Sequence, residues 1–200
     1  VILGENGCGK TTLLRLLARL IRPTAGNYAQ SILRDTGKNP KPAWFRQVGF
    51  VCQNPDYQLF MPTVDREVVY QARDKVWARR MLTEFGLEPL AQQHPHSLSE
   101  GQKRKLSIAA VMAAKPRLLL LDEPTVGQDY GGLAMILQNL RLLYAETGGA
   151  QVVVTHDSRC AGAMADRVLW MKQGRIYRTG SSDLCDEYFA GMADAPSESV

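Results

Sequence analysis

Leu118–Leu121 run without a break into Asp122 and Glu123, and Val152–Val154 run into Thr155, His156 and Asp157. Each run is too short for a helix and too evenly apolar for a strand with one wet face. Each therefore predicts a strand buried on both sides. "VGFVCQ" at 48–53 has the same form, apolar residues ending in a polar one. Elsewhere the period is helical. Leucines at 13, 14, 16, 17 and 20 predict a helix from Lys10 to about Leu20, closed by Pro23 and Gly26. A helical region is expected from about Val64 to Ala114, broken by Gly86, Pro89 and "HPHS" at 94–97, and another amphipathic helix over 130–147. Residues 166–180 read as a hairpin turning at Gln173-Gly174. Residues 27–47 show little alternation beyond "SIL", and the tail from about Gly191 to Val200 is expected to fray.

Buried strands alternating with helices predict an α/β fold, a mostly parallel sheet flanked by helices. Ligands of such sheets bind beyond the carboxyl ends of the strands. Gln53, Asp122, Glu123 and His156 all stand at strand exits, so they are expected on one rim. At 200 residues the chain suits one domain and can bury a core without disulfides. Cys8, Cys52, Cys160 and Cys185 form no C-x-x-C pair and no zinc spacing, which predicts reduced thiols in a cytosolic protein. A net charge of +4, from 24 basic and 20 acidic residues, is an ordinary solvated surface and gives no reason to expect nucleic acid. No apolar run reaches the ~18 residues that cross a bilayer, and no signal peptide stands between Val1 and the phosphate loop, although a truncated start could hide one.

The stretch "LGENGCGKTT" at 3–12 carries the sharpest chemistry. Gly4, four residues, then Gly9, Lys10 and Thr11 make the phosphate-loop pattern. Glycines let the backbone curl so that its N–H groups cradle phosphate oxygens, and the following helix adds its positive end. Lys10 would reach the β- and γ-phosphates, Thr11 would ligate Mg²⁺, and Thr12 lies close enough for a further phosphate contact. Asp122 leaves a buried strand where a magnesium-binding aspartate belongs. Glu123, one step on, could polarise a water for attack on the γ-phosphate, and His156 could donate to that phosphate. His94 and His96 read as loop residues with no metal to hold.

"LSEGQKRK" at 98–105 places Ser99 and Gln102 three apart before an apolar-periodic helix, a capping box. Gly101 is out of place in a mere cap. Glycine in a first turn costs up to roughly 1 kcal/mol against alanine, so something is expected to approach its backbone closely. An anion at the helix N-terminus would do so.

With these residues in view, the sequence resembles the ATP-binding cassette (ABC) ATPases over residues 1 to about 180. The Walker A motif is GENGCGKTT at 4–12, the Q-loop residue is Gln53, the signature is LSEGQ at 98–102, and Walker B is LLLLD at 118–122 with Glu123 next. VGQD at 126–129 is similar to the D-loop, and His156 to the switch histidine. "VGFVCQNPDYQLF" and "PHSLSEGQKRK" resemble the ATPases of energy-coupling-factor (ECF) importers of vitamins and of cobalt or nickel ions. "EPTVGQD" is similar to members with two cassettes in one chain.

The resemblance implies a P-loop ABC-type fold in a single domain over 1–200, with a helical subdomain inserted at about 62–114. It implies that ATP and Mg²⁺ are bound by Gly4, Glu5, Asn6, Gly7, Cys8, Gly9, Lys10, Thr11 and Thr12, with Thr11, Gln53 and Asp122 on the metal. Glu123 is then the general base, His156 the γ-phosphate sensor, and Lys10 and Gln53 assist. Ser99, Gly101 and Gln102 would contact ATP bound to a second cassette, whether an identical copy, a paralogue or a fused half, and Asp129 would bridge the two sites. The further partners implied are a transmembrane coupling protein and a substrate-binding membrane subunit at the cytoplasmic face of the membrane.

Three departures stand out. The family's N-terminal strands, with an adenine-stacking aromatic, are absent ahead of Val1, which predicts a fragment short of roughly 30 residues. Glu100 replaces the usual glycine of LSGGQ; at 4 Å from a γ-phosphate, for an effective dielectric near 20, it would add about 4 kcal/mol of repulsion, so its side chain is expected to point away. Residues 27–47 do not show the expected strands, and the helical stretch at 64–97 is short. Rival readings are an ABC ATPase of translation or DNA repair, and a degenerate cassette that binds ATP for a structural role.

Overall fold

The apolar runs pair side by side in one sheet. In the computed structural model, which describes residues 1–26, 42–70 and 72–193, β1 (Ile2–Gly4) leads through the phosphate-loop stretch into α1 (Lys10–Leu17). A short helix, α2 (Pro42–Phe45), precedes β2 (Val48–Val51). The chain is then helical through α3 (Val64–Tyr70), α4 (Lys75–Glu84) and α5 (Glu100–Ala113). It returns to alternation with β3 (Leu118–Asp122), α6 (Tyr130–Thr147), β4 (Ala150–Val154) and α7 (Ser158–Met164). The hairpin β5 (Val168–Lys172) and β6 (Arg175–Gly180) follows, and α8 (Asp183–Ala193) ends the described chain.

Among the described residues the strand order is β2-β3-β4-β1-β5-β6. Neighbouring strands are parallel except β5 and β6. Leu120 pairs with Phe50 on one side and Val152 on the other, so β3 lies inside the sheet. Its leucines divide by parity, as a two-residue period requires. Leu119 and Leu121 pack with Ile108, Met112, Ile136 and Leu140 on one face, while Leu118 and Leu120 meet Leu14 and Trp44 on the other. Burying each such side chain contributes about 1.5–3 kcal/mol. This strand therefore anchors both halves of the core.

Several expectations change in detail. The first helix stops at Leu17, short of Leu20, because Ala18 caps it and Arg19 takes a left-handed backbone with φ 55°. Of the poorly patterned stretch 27–47, residues 27–41 lie outside the described ones; α2 and the turn at 46–47 that leads into β2 fill the rest. Residue 191 lies within α8, and the remainder of the predicted frayed tail, from 194, lies outside the described residues. The hairpin turns where predicted, at Gln173 and Gly174, both at positive φ. All four cysteines are free thiols, and burial pushes Cys160 up to about 11, which suits packing and not nucleophilic chemistry.

Gly4 ends β1 where backbone and side chains crowd together. A Cβ there would stand 2.5 Å from the Met171 carbonyl oxygen and 2.6 Å from Cys8 Sγ. The carbonyl belongs to the paired strand β5 and cannot swing aside. Gly4→Ala should therefore destabilise the fold by about 1–3 kcal/mol through overpacking. Chemical denaturation would measure this, and an unshifted midpoint would show that the crowding is relieved without cost.

Candidate active site

β1, β3 and β4 run parallel, so their carboxyl ends open on one rim. The rim holds a cleft of about 430 Å³ lined by Asn6, Gly7, Gly9, Lys10, Thr11, Thr12, Gln53, Asp122, Glu123, Val126, Val154 and His156. The loop over 5–9 takes the form its glycines permit. Gly9 caps α1 at φ 102°, a left-handed conformation closed to most residues. No side chain caps this helix, so its first N–H groups are left for a ligand. Lys10 is buried, and its Nζ donates to the carbonyls of Gly4 at 2.7 Å and Glu5 at 2.9 Å. Thr11 Oγ1 donates to Asp122 Oδ2 at 2.7 Å.

Glu123 and His156 form the opposite wall. Glu123 has φ 52°, a conformation that costs a non-glycine residue roughly 1–2 kcal/mol. Its own N–H donates to the Val154 carbonyl at 2.9 Å, which holds the turn against β4. Glu123 Oε2 accepts from the His156 backbone N–H at 3.2 Å, and Oε1 lies 3.5 Å from His156 Nε2 without a formed hydrogen bond. Burial pushes the Glu123 carboxyl above the ordinary carboxylate range, against the pull of the His156 N–H and of Lys10. Burial, then Lys10, hold the His156 imidazole below its usual value, so it is neutral at pH 7. A buried carboxylate with one free oxygen is a competent proton acceptor, and a neutral imidazole beside it can donate to an anion.

The donor set fits a hard cation. Thr11 and Asp122 bring a hydroxyl and a carboxylate together at the cleft, and Asp122 is only 2% exposed. Among the described residues no cluster of three or more His, Cys, Asp or Glu could hold a metal. One hydroxyl and one carboxylate suit Mg²⁺, which takes one or two protein oxygens and fills its shell from phosphates and water.

The remaining predicted residues stand apart from this cleft. Gly4 and Cys8 are buried beneath the loop, the Cys8 side chain lying in the core, and Glu5 turns its carbonyl to Lys10. Ser99 accepts from the Gln102 N–H at 3.3 Å while Gln102 Oε1 accepts from the Ser99 N–H at 3.0 Å, the predicted capping box. Gly101 has a close neighbour within its own chain, because a Cβ there would sit 3.3 Å from Gln128 Nε2 and 3.4 Å from the Gly127 carbonyl oxygen. Gln128 Nε2 donates to the Gly101 carbonyl at 3.1 Å. The approach predicted for an anion is thus made, at least in part, by the stretch at 126–129. The Glu100 carboxylate pairs with Lys103 at 3.3 Å and is 72% exposed. Asp129 caps α6 by accepting from the Gly132 N–H at 2.7 Å. Within the VGQD stretch, sequence reasoning assigned a role only to Asp129; it did not foresee Val126 in the cleft lining or the Gln128 bond to Gly101.

Comparison with known proteins meets this geometry from outside. The sequence model of the ABC transporter family matches residues 1–126. The chain belongs to the ABC transporter family. As an ATP-binding domain of that family it is 35% identical to the energy-coupling factor transporter ATP-binding protein EcfA2 of Clostridium perfringens, over 90% of this chain and 67% of the relative. It is 38% identical to the cobalt import ATP-binding protein CbiO of Rhodobacter capsulatus, over 90% of this chain and 68% of that one. The chain spans only about a third of the length of two other relatives, 30% of one from Methanosarcina acetivorans and 33% of one from Bacillus subtilis. A dimeric ATP-binding cassette in a post-hydrolysis state with ADP and Pi superposes with a TM-score of 0.78 at 30% identity, covering 90% of this chain and 84% of that one. The α/β sheet is the ABC ATPase fold.

Glu123 offers a test of its surroundings that needs no nucleotide. A carboxyl whose folded pKa is raised above its unfolded value penalises the fold at high pH, and the penalty vanishes once both states are protonated. Glu123→Gln should therefore melt above the wild type at pH 8, the gap closing as the pH falls towards 4. Thermal midpoints across that range would decide it; a gap that widens on acidification would mean that Glu123 is stabilised, not strained, as a carboxylate.

Proposed function

We propose that this cassette is the ATP-hydrolysing motor of a membrane importer of the energy-coupling-factor type, taking up a vitamin or a transition-metal ion. The observation that carries the hydrolytic half is the convergence of Thr11, Asp122, Glu123 and His156 around the phosphate loop. The importer half rests on its relatives, an energy-coupling factor ATPase and a cobalt import ATPase.

Lys10 is held by two loop carbonyls, so it is poised to exchange them for phosphate oxygens when ATP enters. The loop N–H groups and the start of α1 take the remaining phosphate charge. Thr11, Asp122 and Gln53 would hold Mg²⁺, which when bound neutralises charge on the β- and γ-phosphates. Glu123 accepts a proton from the attacking water, and the burial that raises its pKa makes it the stronger base. His156 stays neutral and donates to the γ-phosphate. The contact between these two groups argues against a cassette that binds ATP without turning it over.

The second half of each site comes from another cassette, be it an identical copy, a paralogue or a fused half. There Ser99, Gly101 and Gln102 meet the partner's ATP, with Asp129 near the seam. Glu100, held by Lys103, adds no unpaired negative charge at that helix start. No described helix is long and apolar enough to cross a membrane. The docking face for membrane partners would be the hollow of about 200 Å³ lined by exposed Tyr57, Phe60 and Tyr70 with Ala110 and Val111, a few residues beyond Gln53 in the chain. A transmembrane coupling protein seated there, with its substrate-binding subunit, would keep the cassette on the cytoplasmic face.

Affinity purification of the full-length protein from gently solubilised membranes tests the importer assignment. Recovery of a multi-span coupling protein with a small hydrophobic binding subunit is expected; ribosomes or nucleic acid without a membrane protein would overturn it. Glu123→Gln should lower kcat by roughly 10²–10⁴ and trap an ATP-bound dimer. Unchanged turnover would remove Glu123 from the role of base.

A further inference from the structure

Cys52, the residue before Gln53, has left β2, and side chains hold both its backbone polar groups. Its N–H donates to Gln58 Oε1 at 2.8 Å, and its carbonyl accepts from Arg104 Nη1 at 2.9 Å. Both partners lead to α5. Arg104 is on that helix, and Gln58 Nε2 reaches across to the Ser107 carbonyl one turn further along at 3.4 Å. Asp56, between Cys52 and Gln58 in sequence, pairs with Lys103 of the same helix at 3.0 Å. Segment 52–58 is therefore fastened to residues 103–107 of α5, the helix whose first turn carries Ser99, Gly101 and Gln102.

Arg104 is the unusual member. It is only 5% exposed, and its Nε has no hydrogen-bond partner among the described residues. Burial works against its charge, opposed by the attraction of Glu100, Glu123 and Asp122. A helix that merely needed a packed residue here would gain from an apolar one, since a buried cation with an unmet donor is costly. Guanidinium can hold a carbonyl in fixed orientation while keeping its charge near the carboxylates of the cleft.

We propose that Arg104 and Gln58 are positioning residues that clamp Cys52 to the signature helix, so that a displacement of Gln53 on meeting nucleotide is passed to Ser99 and Gly101. The inference rests on the ATPase reading for what Gln53 meets, and adds two residues to it. Because the clamp grips Cys52 at both its N–H and its carbonyl, Gln53 cannot move far without moving α5 or breaking one of these bonds. An ATP bound in one site thereby sets the signature offered to the other.

Arg104→Met keeps the bulk of the side chain and removes the donor, and Arg104→Lys restores one donor. In the full-length protein with MgATP, Arg104→Met should leave KM within about twofold, lower kcat about tenfold or more, and abolish positive cooperativity in ATP. Arg104→Lys should recover part of kcat. Hydrogen exchange gives a readout that packing alone would not move. MgATP should protect residues 52–54 and 99–104 together in the wild type, and only 52–54 in Arg104→Met. Joint protection surviving in that variant would overturn the proposal. So would a parallel fall in thermal midpoint, KM and kcat that Arg104→Lys fails to repair. If the wild type binds MgATP without hydrolysing it, the ATPase reading falls by itself, and the exchange pattern still decides the clamp.

Discussion

The hydrogen bond from Thr11 Oγ1 to Asp122 Oδ2 joins segments 111 residues apart, and the cleft takes its shape from what must be true for it to form. Thr11 sits in the first turn of α1, so that turn must lie over the carboxyl end of the sheet. Asp122 is the last residue of β3, so β3 must be in register with β4, where it pairs with Val154, and β4 with β1, where Val154 pairs with Ile2. A one-residue slip in a strand would turn its side chains to the opposite face. Leu118–Leu121 resist such a slip only weakly, being alike. The register is specified instead by their neighbours: the tight start of β4, where a Cβ on Gly149 would stand 2.3 Å from the Arg117 carbonyl oxygen, and the turn at Glu123 that bonds back to Val154.

That turn also explains why the acids differ. Asp122 ends a strand and spends an oxygen on a hydroxyl. Glu123 is forced into a left-handed backbone, buried beside Val154, and left with one oxygen unpaired. Adjacent carboxyls thus receive different surroundings from a single change of backbone angle. Separation of this kind is what the proposed roles require, one acid as a hard oxygen ligand and its neighbour as a proton acceptor.

Much of this was legible in the sequence because the signals were local. Strand exits followed from apolar runs that stop at polar residues, the capping box from a three-residue spacing, and the hairpin turn from Gln-Gly. What escaped was tertiary. Arg19 ends α1 early through a backbone angle that no periodicity records. Gly101 signalled a close approach, yet only the fold reveals Gln128 as one neighbour, 27 residues downstream. Glu100 looked like an unpaired charge near an anion until Lys103, one turn on, was seen to hold it and Asp56 together. Arg104 reads from sequence as one more cation in a basic run, and its burial against Cys52 depends on segment 52–58 folding back over α5. The convergence of Lys10, Thr11, Gln53, Asp122, Glu123 and His156 could be read from strand exits; the ties between α5 and its surroundings could not.

Those ties make α5 a hub. Its middle is cored by Leu106, Ile108, Ala109 and Met112, which pack against the sheet and against α3 and α4. Its first turns carry several polar bonds: Gln128 to Gly101, Lys103 to Asp56 and Glu100, Arg104 to Cys52. Apolar packing is dense and resists small displacements, whereas directional polar bonds can break and re-form individually at roughly 1 kcal/mol each. A helix whose body is apolar and whose tip carries most of its polar bonds yields more readily at the tip. The segments bonded to that tip are the ones flanking the phosphate cleft, 52–58 on one side and 126–129 on the other. Movement of either is therefore felt at Ser99 and Gly101 before it is felt in the core.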